Sequence, residues 1–180
     1  PQKQSERELK KSESFLSAVF ASIQDGISVL DTNLNIVRVN PTMERWYATQ
    51  MPLVGKKCYH CFRQAKRTCE PCPTMRSVQS GQAESDVVRG PPGSAVQWLE
   101  LFSYPIFDSE QGQVSGIVEF VRDITVRKRA EERLADSEAK FRSYVENAPD
   151  GIFVVDPRGR YLEMNEATCR MTGYSREELL

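Results

Sequence analysis

At 180 residues the chain is long enough for one sizeable domain and part of another. Its 24 Lys+Arg against 25 Asp+Glu leave a net charge of −1, which excludes an overall field that draws nucleic acid or an anionic membrane. No apolar run approaches the roughly 20 residues of a membrane span, and the opening PQKQSERELKKSE lacks the apolar centre of a signal peptide. The expectation is a cytoplasmic segment without membrane contact, in a parent that is free to be membrane-anchored elsewhere. Five cysteines, four of them within Cys58–Cys72, fit a reducing compartment better than a disulfide scaffold, which spreads an even number along the chain.

The chain opens on a helical pattern, with Leu9, Ser12, Leu16, Val19 and Ile23 at spacings of three and four, and residues 1–14 read as an N-terminal linker helix. DGISVLD and LNIVRVN flank TN as a hairpin, and PTMERWYA begins with a proline suited to the first turn of a helix. Beyond the cysteines, TMRSVQSG reads as a helix ended by Gly81. ESDVVRG, AVQWLELFSYPIFD and QVSGIVEFVRDIT then read as three strands separated by the turns PPGS and SEQG. The order predicts an α+β domain over residues 15–125, with a five-stranded antiparallel sheet and short helices on one face. The long strands are apolar at both parities, with Val96, Trp98, Phe102 and Tyr104 on one and Leu99 and Leu101 on the other. Both faces therefore need cover, and the amphipathic N-terminal helix is the expected cover for the second.

Residues 126–146 repeat the helical seam with Ala130, Leu134, Ser137, Phe141 and Tyr144. Such narrow stripes with small or polar members are weak coiled coils alone, and pair across a dimer when folded domains hold them together. A shift of 125 residues aligns the chain with itself without a gap, and from Glu6 to Gln50 eleven of 45 positions are identical, among them Asp25, Gly26, Ile27, Val29, Asp31 and Asn40. One module thus stands twice, and residues 147–180 are the start of the second copy. Without its three closing strands that part is expected to be poorly ordered.

Cys58, Cys61, Cys69 and Cys72 form two CxxC pairs separated by seven residues. Two such turns can supply a tetrahedral set of thiolates, so a bound zinc, or after it an iron–sulfur cluster, is the first expectation. Redox-active thiols come second, because Lys56, Lys57, Arg63, Lys66 and Arg67 surround them and positive charge favours the thiolate. Small buried apolar residues come third. His60 is the single histidine and reads as a surface residue rather than a ligand. With no nucleophile set beside a base and an orienting group, the segment reads as non-catalytic. The rival function is a metal knuckle for nucleic acid, in which Tyr59 and Phe62 stack on bases and the basic residues meet phosphates; the near-neutral charge argues against nucleic acid as a partner.

The strings ASIQDGISVLDTNLNIVRVNPTMERWYA, ENAPDGIFVVDPRGRYLEMNEATCRMTGYSREELL and WLELFSYPIFDSEQGQVSGIVEFVRDITVRKRAEERL resemble the openings and the close of PAS sensor domains. The resemblance implies a PAS domain, a signalling linker helix and part of a second PAS domain, in a tandem array as found in bacterial sensor histidine kinases. It also implies a cavity that receives a small ligand, metal or redox change, relayed through linker helices to adjoining PAS and output domains, in a homodimer built on those helices. A module serving only dimerisation is a further alternative. Asp123, Ile124 and Thr125 match the family's DIT signature and are the expected signal-coupling residues, with Thr125 also suited to cap the linker helix. Cys58, Cys69, Cys72 and Pro73 resemble the C…CxxCP string of a PAS subgroup, to which Cys61 is an addition. GKKCYHCF lacks the polar residues around the reactive cysteine of blue-light flavin domains, and TMRSVQSG offers no histidine to a haem.

Overall fold

The computed structural model describes residues 2–91 and 93–180, the side chain of Gln2 excepted. The chain divides into two compact units, Pro1–Val126 and Arg127–Leu180. The first contains α1 (Gln2–Ser22), β1 (Gly26–Asp31), β2 (Ile36–Val39), α2 (Pro41–Trp46), α3 (Cys58–Arg63), α4 (Pro73–Ser80), β3 (Glu84–Arg89), β4 (Trp98–Phe107) and β5 (Val114–Asp123). The strands form one antiparallel sheet in the order β2-β1-β5-β4-β3, as the α+β reading predicts.

The period of two in β5 sorts its side chains. Ile117, Glu119 and Val121 face the helices, while Val118, Phe120 and Arg122 face away. Val121 of the inward set packs with Leu30, Ile36, Met43, Leu53 and Leu99, each 1 or 2% exposed. Full burial of such a side chain contributes about 1.5–3 kcal/mol. Gly26 starts β1 because α2 crosses it closely: a Cβ there would lie 2.5 Å from the Met43 sulfur.

Asn40 joins the hairpin to α2. Its Oδ1 accepts the Ile27 N–H at 3.0 Å and the Met43 N–H at 3.2 Å, capping α2. Its Nδ2 donates to the carbonyls of Ile23 and Asp25 at 3.2 and 2.9 Å. With the side chain fully buried, no water replaces any of these bonds.

Two expectations are corrected. The first hairpin does not turn at TN with β2 starting at Leu34; β2 starts at Ile36, because Asp31 Oδ1 accepts the N–H groups of both Asn33 and Asn35 and draws Thr32–Asn35 into the turn. Leu34 takes φ +65° there, and its side chain is nearly fully buried, which offsets the strain of that backbone. The second correction concerns α1, which leaves the outer sheet face open. Leu9 and Leu16 are 62 and 61% exposed, and Tyr104 on that face is 46% exposed. The stripe is too narrow to bury much area; α1 meets the sheet through Arg38, which donates to Ser17 Oγ at 3.0 Å and lies 4.6 Å from the Phe20 ring centre.

The helix α5 (Thr125–Glu146) begins at the end of the first unit and makes up the start of the second. It is followed by β6 (Phe153–Val155), β7 (Tyr161–Met164), α6 (Glu166–Thr172) and α7 (Arg176–Leu179), with β6 and β7 paired as a hairpin. The repeat is reproduced in three of four bonds: Asn165, the counterpart of Asn40, accepts from Ile152 and Thr168 N–H and donates to the Asp150 carbonyl, while its fourth bond goes to the Val145 carbonyl instead of that of Ala148, the counterpart of Ile23. Gly159, the counterpart of Leu34, has φ +80°. The hairpin's apolar residues stay open, with Phe153 51% and Leu162 54% exposed.

Asn40→Ala removes the cap and strands two buried N–H groups and the Asp25 carbonyl, the Ile23 carbonyl keeping its bond from the Thr42 hydroxyl, for an expected loss of about 3 kcal/mol in urea denaturation. Asn40→Asp keeps the acceptor and loses the donor, so its loss falls between wild type and alanine; equal stability of all three would show the clamp to be unimportant.

Candidate functional site

The cysteine-bearing segment does not fold as a metal knuckle. Cys58–Arg63 is the helix α3, so the first CxxC is one helical turn, with Cys58 and Cys61 buried in it. The two then part company: Cys58 lines the cavity between sheet and helices, whereas Cys61 lines a separate hollow with Arg45, Gln50 and Pro91. Among the described residues no group of three or more His, Cys, Asp or Glu side chains is placed to hold a metal ion. The expected zinc or iron–sulfur site at Cys58, Cys61, Cys69 and Cys72 is therefore corrected, and the knuckle on which the nucleic-acid alternative rested goes with it. All five cysteines are free thiols, and His60 is exposed.

The cavity of about 70 Å³ lies between the inner sheet face and α2, α3 and α4. That is several times the space of one water. Its walls are mainly apolar: Leu99, Leu101, Val121 and Val88 from the sheet, and Met43, Tyr47 and Phe62 from the helical side. The Tyr47 and Phe62 rings meet at 4.7 Å between centres. One carboxyl enters this wall. Glu119, 3% exposed, accepts hydrogen bonds from Ser28 Oγ and Thr74 Oγ1, each at 2.6 Å, one on each oxygen. Ser103 Oγ lies 3.3 Å from Thr74 Oγ1, and Ser77 Oγ donates to the carbonyls of Gln82 and Ser103, so buried hydroxyls tie β1, β4, β5 and α4 together.

Burial raises the Glu119 carboxyl above its ordinary range, and the two hydroxyl donors oppose the rise. The Cys58 thiol is pushed far upward, first by burial, then by Glu119 and by Cys72 and Cys69. Burial also raises Cys61, with Lys56 opposing. Cys69 is raised by burial and then by Cys72, against the charge and hydrogen bond of Arg63. Cys72 stands at the start of α4, where its sulfur accepts the Met75 N–H at 3.4 Å.

The exit from the sheet is tied back to the start of the neighbouring strand β4. Asp123 Oδ1 accepts the Thr125 N–H at 2.8 Å, Ile124 N–H donates to the Trp98 carbonyl at 3.0 Å, and Thr125 Oγ1 accepts from the N–H groups of Gln97 and Trp98 at 2.8 and 3.1 Å. Thr125 is thus not the cap expected of it: its hydroxyl latches the start of β4, and Asp123 serves the first N–H of α5.

The residue that sequence reading missed is Glu119. Its signal was present, since a glutamate between Ile117 and Val121 at the same parity sits on a core-facing side. Because its folded value lies above 4.5, the folded state holds this proton more tightly than the unfolded chain. The penalty is absent below the unfolded value, grows as pH rises through the folded one and is then constant. The stability difference between Glu119→Gln and wild type is expected to shift in favour of the variant as pH rises above about 4.5, read by urea denaturation across pH. A difference independent of pH would show Glu119 to titrate normally.

A family model of the PAS fold matches residues 20–129, and a second matches residues 139–180. Sporulation kinase E of Bacillus subtilis (strain 168) is 23% identical over 174 residues, which cover 97% of this chain and 23% of that protein. The chain thus spans less than a quarter of the length of this curated relative. Among solved structures, an RNA-binding light-oxygen-voltage receptor aligns with a TM-score of 0.58 at 18% identity, covering 71% of this chain and 37% of that one. The PAS domain of a Colwellia psychrerythraea protein aligns with a TM-score of 0.52 at 20% identity, covering 62% of this chain and 96% of that one. Among the described residues no helix is long and apolar enough to cross a membrane. With the helix-backed antiparallel sheet, its inner cavity and both family matches, the chain belongs to the PAS family and is a tandem PAS sensory module.

Proposed function

We propose that this module is the sensory part of a larger signalling protein, with a two-component sensor histidine kinase as the parent, and that a small molecule entering the cavity is its stimulus. The observation that carries this reading is the position of Glu119: it lines the cavity and sits on β5, the strand that runs through Asp123, Ile124 and Thr125 into α5. A ligand that exchanges hydrogen bonds with Glu119, or displaces Thr74 from it, changes the strand that leads out of the domain. Asp123, Ile124 and Thr125 are the coupling residues in this reading, because their bonds to Gln97 and Trp98 hold the exit against the neighbouring strand. The kinase parent is supported by the likeness to sporulation kinase E along nearly the whole chain. A homodimer through the linker helices is supported by their uncovered apolar residues: Leu9, Leu16 and Val19 on α1, and Leu134, Phe141 and Tyr144 on α5. Adjoining PAS and output domains of the parent are the recipients of the signal.

The test is a small-molecule screen by thermal shift, followed by calorimetry on the hits and hydrogen exchange across residues 119–135. Leu101→Phe fills the cavity from β4 and is expected to weaken a cavity ligand at least tenfold, at a cost of about 1–3 kcal/mol in stability. Hits that bind Leu101→Phe as well as wild type, or that leave exchange in β5 and α5 unchanged, would overturn the reading.

A further inference from the structure

The three thiols that share the cavity differ in access. Cys58 is buried at the first turn of α3, while Cys69 and Cys72 are half-buried at the rim, three residues apart around a bend at Glu70–Pro71. Arg63 stands beside this pair: its charge acts on the Cys69 sulfur, and its Nη1 is fixed by the Arg89 carbonyl at 2.8 Å. The Arg63 charge opposes the rise that burial imposes on the Cys69 thiol.

What singles out this pair from the other cysteines is its connection to the buried network. The Cys72 sulfur holds the first turn of α4 through the Met75 N–H, and two residues further on Thr74 of that same turn donates to Glu119 at 2.6 Å. A covalent event at the rim therefore reaches β5 by one helical turn and one hydrogen bond.

We propose that Cys69 and Cys72 are a peroxide-oxidisable dithiol, and that closing their disulfide uncaps α4 and loosens the Thr74–Glu119 bond. The inference rests on the sensory reading above and adds a hydroperoxide as a stimulus. In the first step the Cys72 thiolate attacks the terminal oxygen of the hydroperoxide: the O–O bond breaks, an S–O bond forms, and the alkoxide leaves as the alcohol after taking a proton. In the second step Cys69 attacks the sulfenic sulfur, the S–S bond forms and water departs. Two thiols lose two electrons and two protons in all, and the hydroperoxide is reduced to alcohol and water.

The test treats the reduced 180-residue chain with tert-butyl hydroperoxide, maps disulfides by mass spectrometry and follows hydrogen exchange. A Cys69–Cys72 disulfide is expected, reversed by dithiothreitol, with faster exchange at the Met75 N–H and altered exchange in the first turns of α5. Cys61→Ser and Cys169→Ser are expected to retain it together with the exchange change, and Cys69→Ser and Cys72→Ser to lose the exchange response to the oxidant. Serine at position 72 still caps α4, so this variant is expected to fold. No disulfide, a disulfide through Cys58, Cys61 or Cys169, or a Cys69–Cys72 disulfide without change at Met75 would overturn the proposal. If it fails while cavity ligands still alter exchange in α5, the dithiol switch falls alone. If neither oxidant nor ligand alters α5, the sensory reading falls with it.

Discussion

A carboxyl placed inside a sheet-and-helix core must find donors or remain neutral, and Glu119 imposes that demand on the rest of the domain. Ser28, Thr74 and Ser103 occupy positions where larger apolar side chains would otherwise fill space, and together they connect three strands with α4. The same arrangement keeps the cavity partly polar at one wall while Leu99, Leu101 and Val121 keep the others apolar. A site of this kind accommodates a small ligand with one polar end, since the apolar walls supply affinity and the carboxyl supplies orientation.

Much of this was legible in the chain because it depends on local rules. Apolar runs between turn signals located the strands, Pro41 and Gly81 marked helix ends, and the internal repeat aligned Asn165 with Asn40. The cysteines were misread for a physical reason: CxxC spacing brings two sulfurs together both in a knuckle loop and on a helical turn, and only the backbone distinguishes them. In α3 the helix sends Cys58 and Cys61 to different hollows. Glu119 was missed because a charged residue in a strand reads as solvent-facing until its partner strands are known, and its donors lie 91 and 45 residues away.

The outer sheet face marks another limit of sequence reading. Apolar residues at both parities of β4 correctly signalled two demanding faces, but the pattern does not name what covers each. Phe102 packs with Tyr104 and Phe120 at 6.4 Å between ring centres, and Arg89 lies 3.7 Å from the Trp98 ring centre. These contacts shelter part of the face from water within the sheet itself, and the narrow stripe of α1 faces solvent instead.

The Asn40 clamp spans no more than 17 residues, from Ile23 to Asn40. Its bonds need only the end of α1, the hairpin and the first turn of α2, all made before any of β3, β4 or β5 leaves the ribosome. The β1–β5 pairing, by contrast, joins Ile27 to Phe120 and waits for the whole domain. Low-separation contacts form first because they close short loops. The clamp therefore closes over short loops at low entropic cost, whereas the strand that carries Glu119 pairs only once the whole domain is present.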